Sequence, residues 1–481
     1  MSSNAQKTAI KPSDAKSWTL CARRTWFDNY PPEGMIAEPD PFEQLIIDQG
    51  LAHEQAVLES LSQDKTVETA KSPEHTKQLM DAGIDVIYQA QLFDENTGIV
   101  GYPDFLLRHE SGKYQPADAK LARSAEDKKE IKVQLGLYRR LLGTSLPGLV
   151  FLGNGEIQEI DDTVNPLVNE FITEMSMILE SDEPPLVRYS HSKCKACPYF
   201  SICRPDFIEK DEITLIYGID SRSAHHLEEK GISSVHGLSE CDPASIPDVP
   251  YLKGFEKKRK AVFQAKSWLT GEVFKLSDFE LPEGTWIHFD VEDNPLEPSG
   301  NKHVYLWGFL KPDYGANEFE YSWTDTMEED RKGWDGFLSL IEKYKSEHSD
   351  LIIAHYSNHE VTTIKQYAER YDMFGHPIVE WLLGEETPLY DMQKPVLQNL
   401  VLPLQGYGLK DICKHKDLVN FQWEDETSGS QWSIVQFNEF QQEQDAGKRE
   451  ALKNAILGYN RDDVLATRKL EEWLRSMNAI S

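Results

Sequence analysis

GYPDFLLRHESGKYQPADAK, residues 101–120, holds one aspartate after a proline, a tight turn, and a second aspartate two residues before a lysine. The apolar run 99–107 reads as a strand, and so does 84–93 before it, with the turn Asp94-Glu95-Asn96-Thr97-Gly98 between them. The turn His109-Glu110-Ser111-Gly112 leads into a third strand near 114–119. On a strand, side chains two apart leave the same face, so Lys120 emerges beside Asp118 while Ala119 points away. Two carboxylates supply the hard oxygens that a divalent cation prefers. An adjacent ammonium can orient water or stabilise a phosphate as it gains charge.

Outward from this stretch, residues 41–62 have helical spacing, with Phe42, Leu45 and Ile46 on one face. That helix carries His53 in Gly50-Leu51-Ala52-His53-Glu54, and an imidazole suits Mn²⁺ as well as Mg²⁺. Downstream, a helix over 125–142 puts Gln134 and Tyr138 four apart on one face, before the apolar strand 149–152. Asp-x-Lys alone is a weak signal. The ordered set of helix histidine, Pro-Asp, Asp-x-Lys and Gln-x3-Tyr closely resembles the RecB-type PD-(D/E)xK nucleases. The resemblance implies a restriction-endonuclease-like α/β domain over 1–208. It further implies that His53, Asp104 and Asp118 are metal ligands, that Lys120 is catalytic, and that Gln134 and Tyr138 support the site or contact DNA.

There are six cysteines, and three of them fall in Cys194-Lys-Ala-Cys197-Pro-Tyr-Phe-Ser-Ile-Cys203. Cys21 stands alone ahead of the first domain's strands. Clustered thiols in a chain without an export signal point to metal before disulfide. Four thiolates suit a [4Fe–4S] cluster, or zinc, which more often takes two Cys-x2-Cys halves. The one-plus-three arrangement resembles the iron–sulfur nucleases of the AddB type and of CRISPR adaptation, which implies a cluster joining the two ends of the domain. Cys241 and Cys413 have no such company.

Residues 209–275 read as a helical connector punctuated by glycine turns at Gly218, Gly231 and Gly254. They resemble helix-hairpin-helix modules, whose turns offer backbone N–H groups to phosphates, and Lys257, Lys258, Arg259 and Lys260 follow as candidate nucleic-acid contacts. A connector with a solvated charged face is the other reading.

A new α/β pattern fills 280–481. His288-Phe289-Asp290-Val291-Glu292 places Asp290 and Glu292 on one strand face, and carboxylates so spaced can hold two metals. In Tyr459-Asn460-Arg461-Asp462-Asp463 on the last helix, Tyr459 and Asp463 share a face: one to position or deprotonate water, the other to bind metal. The pattern resembles the DEDD 3'-5' exonucleases of the RNase H-like fold. Glu360 is the candidate for their middle carboxylate, with Asp391 as a rival.

The formal net charge is −31, from 50 Lys plus Arg against 81 Asp plus Glu. That excludes coating nucleic acid by bulk electrostatics and leaves room for a local basic groove. The beginning, MSSNAQKTAI, has no apolar signal core, no run is long enough to span a bilayer, and the expectation is a cytoplasmic protein without membrane contact. No Gly-x4-Gly-Lys-Ser/Thr loop supplies an ATP motor, whereas RecB-like domains also occur fused to helicases. The expected activity is a nuclease using Mg²⁺ or Mn²⁺ on single-stranded DNA ends or flaps, in repair, recombination or defence, with RNA as the other substrate. The alternative is a nucleic-acid-binding partner of a helicase with one or both sites silent.

Overall fold

The computed structural model describes residues 9–35, 39–297, 300–312, 319–424 and 430–479. Its contacts divide the chain into two compact units. The first comprises Met1–Arg188, Ser192–Cys203 and Pro298–Gly300; the second comprises Tyr189–His191, Arg204–Glu297 and Asn301–Ser481. Residues 209–275, read from the sequence as a connector of their own, fall within the second unit.

The first unit is built on β1 (Val67–Thr69), β2 (Val86–Tyr88), β5 (Phe105–Arg108), β6 (Tyr114–Lys120), β7 (Gly148–Leu152) and β8 (Ile157–Ile160), adjacent in that order. The pairs β1–β2 and β6–β7 are parallel and the others antiparallel. Period-two alternation splits the strands between two cores. Val86, Phe105, Leu107 and Ala117 meet Val57, Leu58 and Leu61 of the helix Pro41–Leu61. Ile87, Leu106 and Val150 meet Ile131 and Leu135 of the helix Lys129–Leu142 and Phe171 of the helix Asn165–Glu180. The result is helix, sheet, helix in three layers.

Neither of the long strands expected over 84–93 and 99–107 is continuous. Gln89 adopts a left-handed φ of 54°, which ends β2, and Pro103, which lacks an N–H, precedes β5. The outer halves, β3 (Leu92–Asp94) and β4 (Ile99–Gly101), pair as a separate hairpin. The helix expected from 125 begins at Lys129.

In the second unit the sheet order is β12 (Phe319–Trp323), β11 (His303–Leu310), β10 (Thr285–Asn294), β13 (Leu351–His355) and β14 (Leu389–Asp391). The first three strands are antiparallel, and β13 and β14 run parallel to β10. β11 is buried along its whole length, as a strand covered on both faces must be. Ile287, Phe289 and Val291 face Trp334, Phe337 and Ile341 of the helix Asp330–Glu347. His288, Asp290 and Glu292 therefore leave the opposite face, where the long helix Ala446–Ala479 lies. β9 (Phe274–Lys275) and β15 (Leu400–Val401) form a small separate pair. Short helices Ser221–Glu228 and Val235–Ser239 precede the helix Phe255–Thr270, and Gly218, Gly231 and Gly254 all take positive φ at the expected turns. Among the described residues, no helix is long and apolar enough to cross a membrane.

Candidate active site

β10 and the long C-terminal helix bring Asp290, Glu292 and Asp463 together. Each offers a carboxylate oxygen, and these oxygens lie within 4.8 Å of one another. Among the described residues this is the one group of three or more metal-type ligands so close. Burial pushes Asp290 well above the ordinary carboxylate range, and the charges of Glu292, Asp463 and Glu360 push it further. Burial, then Asp463, raises Glu292 to about 8. Asp463 is also raised by burial, against the opposing pull of Lys410. Three crowded carboxylates that resist ionising together are a donor set in search of a cation. Their hard oxygens fit Mg²⁺ or Mn²⁺.

The surrounding side chains hold these groups in place. Asn460 donates through Nδ2 to Asp290 Oδ2 at 2.8 Å and to Glu292 Oε1 at 3.2 Å. Ser433 donates to Glu292 Oε2 at 2.6 Å, and Trp423 Nε1 to Asp463 Oδ1 at 2.7 Å. Gly308 is the register partner of Asp290 on β11, and a Cβ there would lie 1.8 Å from Asn460 Oδ1. Glycine at that position is what lets Asn460 reach both strand carboxylates. Tyr459 is buried, bonded to Asp463 and accepting from Lys410 Nζ at 2.9 Å. Burial and the neighbouring carboxylates drive its hydroxyl far above the usual range, so it stays protonated and is not a resting base.

Glu360 is buried on the first turn of the helix His359–Arg370 and does not join the tight group. Its Oε2 lies 3.3 Å from His355 Nδ1. Asp391 accepts through Oδ1 from the backbone N–H groups of Ser357 and Gln393, both at 2.9 Å.

In the first unit Asp104, Asp118 and Lys120 converge. Asp104 donates its backbone N–H to Asp118 Oδ1 at 3.0 Å and accepts from Ala119 N–H through Oδ2 at 2.8 Å. Lys120 Nζ pairs with Asp118 Oδ2 at 2.9 Å. Burial, then Asp118, raises Asp104 to about 8. His53 Nε2 lies 3.0 Å from the carbonyl of Phe151, a contact that orients the ring and leaves Nδ1 as the nitrogen able to ligate a metal; among the described residues His53 does not fall with the two aspartates in a group within 4.8 Å. The next residue, Glu54, turns its charge toward Asp104 and Lys120 and accepts from Gln89 Nε2 at 2.7 Å. Tyr138 is buried against Gly101, and its hydroxyl donates to Tyr102 O at 3.1 Å; Gln134 is half-buried one turn earlier.

The four cysteines come from opposite ends of the first unit. Cys21 lies between the helices Ala15–Leu20 and Ala22–Asn29, close enough to Cys197 and Cys203 that its charge raises both thiols, after burial. Tyr199, between those two, packs on Phe27 at 5.0 Å and donates to Asp28 Oδ1 at 3.0 Å. Cys21, Cys194, Cys197 and Cys203 are all partly buried, and their sulfurs are not drawn into a group within 4.8 Å.

The basic run does not form one free face. Lys258 pairs with Asp248 at 2.7 Å, Arg259 with Glu256 at 3.3 Å, and Lys260 donates to the carbonyl of Leu397; Lys257 is exposed.

Glu54, Lys410, Trp423, Ser433 and the clamp made by Asn460 were not singled out from the sequence. Asn460 sits in the quoted Tyr459–Asp463 stretch and could have been flagged as a polar residue on the buried side of a helix.

A family model described as RNase_H superfamily (RNase_H_2) matches residues 287–475, so the chain carries a C-terminal RNase H-like domain. Proteins of that superfamily generally hydrolyse phosphodiester bonds of nucleic acids. No curated protein matches the chain. Among solved structures, "Crystal structure of SSO0001" aligns at 16% identity over 42% of this chain and 89% of that one, with a TM-score of 0.25.

Proposed function

We propose that the chain is a divalent-metal-dependent nuclease that hydrolyses phosphodiester bonds at single-stranded DNA ends or flaps. The observation that carries this reading is the tight trio Asp290, Glu292 and Asp463 beside Tyr459, in a domain of RNase H type. Bound Mg²⁺ or Mn²⁺ would neutralise charge on the phosphate and lower the pKa of water. Asp290, Glu292 and Asp463 would hold it, Asn460 and Ser433 would keep the strand carboxylates aimed, and Tyr459 would position the attacking water. Lys410 adds a positive charge next to that water's position.

Asp104, Asp118 and Lys120, with Glu54, are proposed as a second hydrolytic centre of the PD-(D/E)xK kind. Their mutual hydrogen bonds favour that role. The cysteines are proposed to carry a [4Fe–4S] cluster that ties the ends of a domain spanning 1–208, with 209–275 as connector and 280–481 as the exonuclease-like domain. A cytoplasmic location and a helicase partner complete the proposal.

The test is anaerobic purification followed by digestion of end-labelled single- and double-stranded DNA and RNA with Mg²⁺ or Mn²⁺. Loss of cleavage in Asp463→Asn with retention in Lys120→Ala assigns the activity to the second unit, and the converse assigns it to the first. A chain that binds nucleic acid but cleaves nothing in any metal would leave the binding-module alternative standing. A brown preparation, bleached in Cys197→Ser, supports the cluster; a colourless, zinc-loaded one counts against it.

A further inference from the structure

The turn before the helix Phe255–Thr270 exposes two large aromatic rings. Tyr251 is 64% exposed and Phe255 53%. Neither exposure comes from a loose loop. Leu252, between them, is buried, and its N–H donates to Val249 O at 3.1 Å. The carbonyl of Pro250 accepts from the buried hydroxyl of Ser223, and Gly254 N–H donates to Asp248 Oδ1 at 3.3 Å. The backbone on either side of Tyr251 is thus pinned, and Tyr251 is held at φ 65°, where glycine is the unstrained choice. A bulky ring kept outward at a left-handed position, on a fixed turn, is a feature that folding alone does not require.

Charge at this tip runs against the rest of the chain. Lys253 and Lys257, next to the rings in sequence, are exposed. Of the nearby acids, Asp248 is paired with Lys258 at 2.7 Å and Glu256 with Arg259 at 3.3 Å. A cationic tip bearing aromatic faces, in a chain of net charge −31, is complementary to a polyanion whose bases present flat π-surfaces. Duplex DNA hides those surfaces in its stack, whereas a single strand offers them.

We propose that Tyr251 and Phe255 form a stacking platform for single-stranded nucleic acid, with Lys253 and Lys257 contacting its phosphates. This rests on the nuclease reading for its substrate class and adds the mode of recognition: bases are gripped by face, without sequence preference.

The experiment measures binding of a fluorescein-labelled mixed-sequence single strand, and of its duplex, to the full chain in EDTA by anisotropy across a salt series. Tyr251→Ala and Phe255→Ala should each weaken single-strand binding about tenfold without changing the salt slope. Tyr251→Trp and Phe255→Trp should restore it. Lys253→Ala and Lys257→Ala should each lower the slope by about 0.7. Tyr251→Gly, which removes both ring and strain, should bind as poorly as Tyr251→Ala while melting no lower than wild type, so that unfolding cannot explain the loss. Binding that ignores both rings, or that prefers duplex, overturns the proposal. So does loss traced to self-association. Cleavage by the wild-type chain in Mg²⁺, assayed in parallel, separates the two levels. If it cleaves while the ring variants bind normally, the platform alone falls; if it neither binds nor cleaves, the nuclease reading falls with it.

Discussion

The ammonium of Lys410 lies 2.9 Å from the hydroxyl of Tyr459, and it also sits over the tyrosine ring, 4.4 Å from its centroid. The two residues are far apart in sequence, yet they form one polar edge of a site that also holds the three carboxylates. Lys410 is the cation that partly balances Asp463, and burial lowers its pKa.

This pairing sets the expected behaviour of two variants. Tyr459→Phe keeps the ring and loses the oxygen proposed to position water, so kcat should fall about 10²-fold or more with little change in KM. Lys410→Met removes the partner of that oxygen and should lower kcat by about tenfold while leaving Mn²⁺ affinity no weaker, since a neighbouring positive charge opposes metal binding. Steady-state kinetics and calorimetric Mn²⁺ titration check both. A Lys410→Met enzyme with unaltered kcat would remove Lys410 from the site's chemistry.

The first unit makes a stability prediction that needs no activity. Asp118 is buried, and Lys120 is its charge partner at 2.9 Å. Lys120→Met strands a buried carboxylate and should destabilise by about 3 kcal/mol or more. Adding Asp118→Asn removes the stranded charge, so the double variant should be more stable than Lys120→Met alone. Urea unfolding of the four proteins measures the coupling. Strictly additive losses would show that the pair is not interacting.

Protonation gives a third prediction, with a definite sign. Free carboxylates release their protons near about pH 4. In the folded chain Asp104 and Glu292 hold theirs until about 8. Between these limits the folded state binds more protons than the unfolded state, so these two groups make stability fall as pH rises and level off above about 8. In EDTA, thermal midpoints compared at pH 5 and pH 8 should show this limb shallower in Asp104→Asn and in Glu292→Gln. Mn²⁺ should stabilise the chain more at pH 8 than at pH 5, because ligands must be ionised to bind. A limb unchanged in both variants would contradict the raised values.

What the sequence makes legible here follows from period and distance. Asp118 with Lys120, and Asp290 with Glu292, are strand pairs two residues apart, and alternation alone puts each pair on one face. Tyr459 and Asp463 follow from helical spacing in the same way. The strand breaks were hidden because Gln89 gives no composition signal for a left-handed turn; only Pro103 marks one side of it. Lys410 and Trp423 reach the site from a short helix and a loop, where no period constrains direction. Glu54 was masked by His53 beside it, the more familiar ligand type.

The last prediction concerns a residue with no side chain. Gly308 faces Asp290 across the β10–β11 ladder, and Asn460 occupies the space its Cβ would fill. Phe319 closes the other side, with ring atoms 2.8 Å from that Cβ position. Gly308→Ala must therefore displace Asn460 or the ring. Overpacking of this kind costs about 1–3 kcal/mol, and loss of the Asn460 bonds should also let Asp290 and Glu292 drift from their metal-ready geometry. Asn460→Ala relieves the crowding without rebuilding those bonds. In Gly308→Ala/Asn460→Ala, denaturant midpoints should recover relative to Gly308→Ala alone while cleavage and Mn²⁺ affinity stay depressed. Recovery of all three would mean that Asn460 fills space beside the carboxylates rather than orienting them.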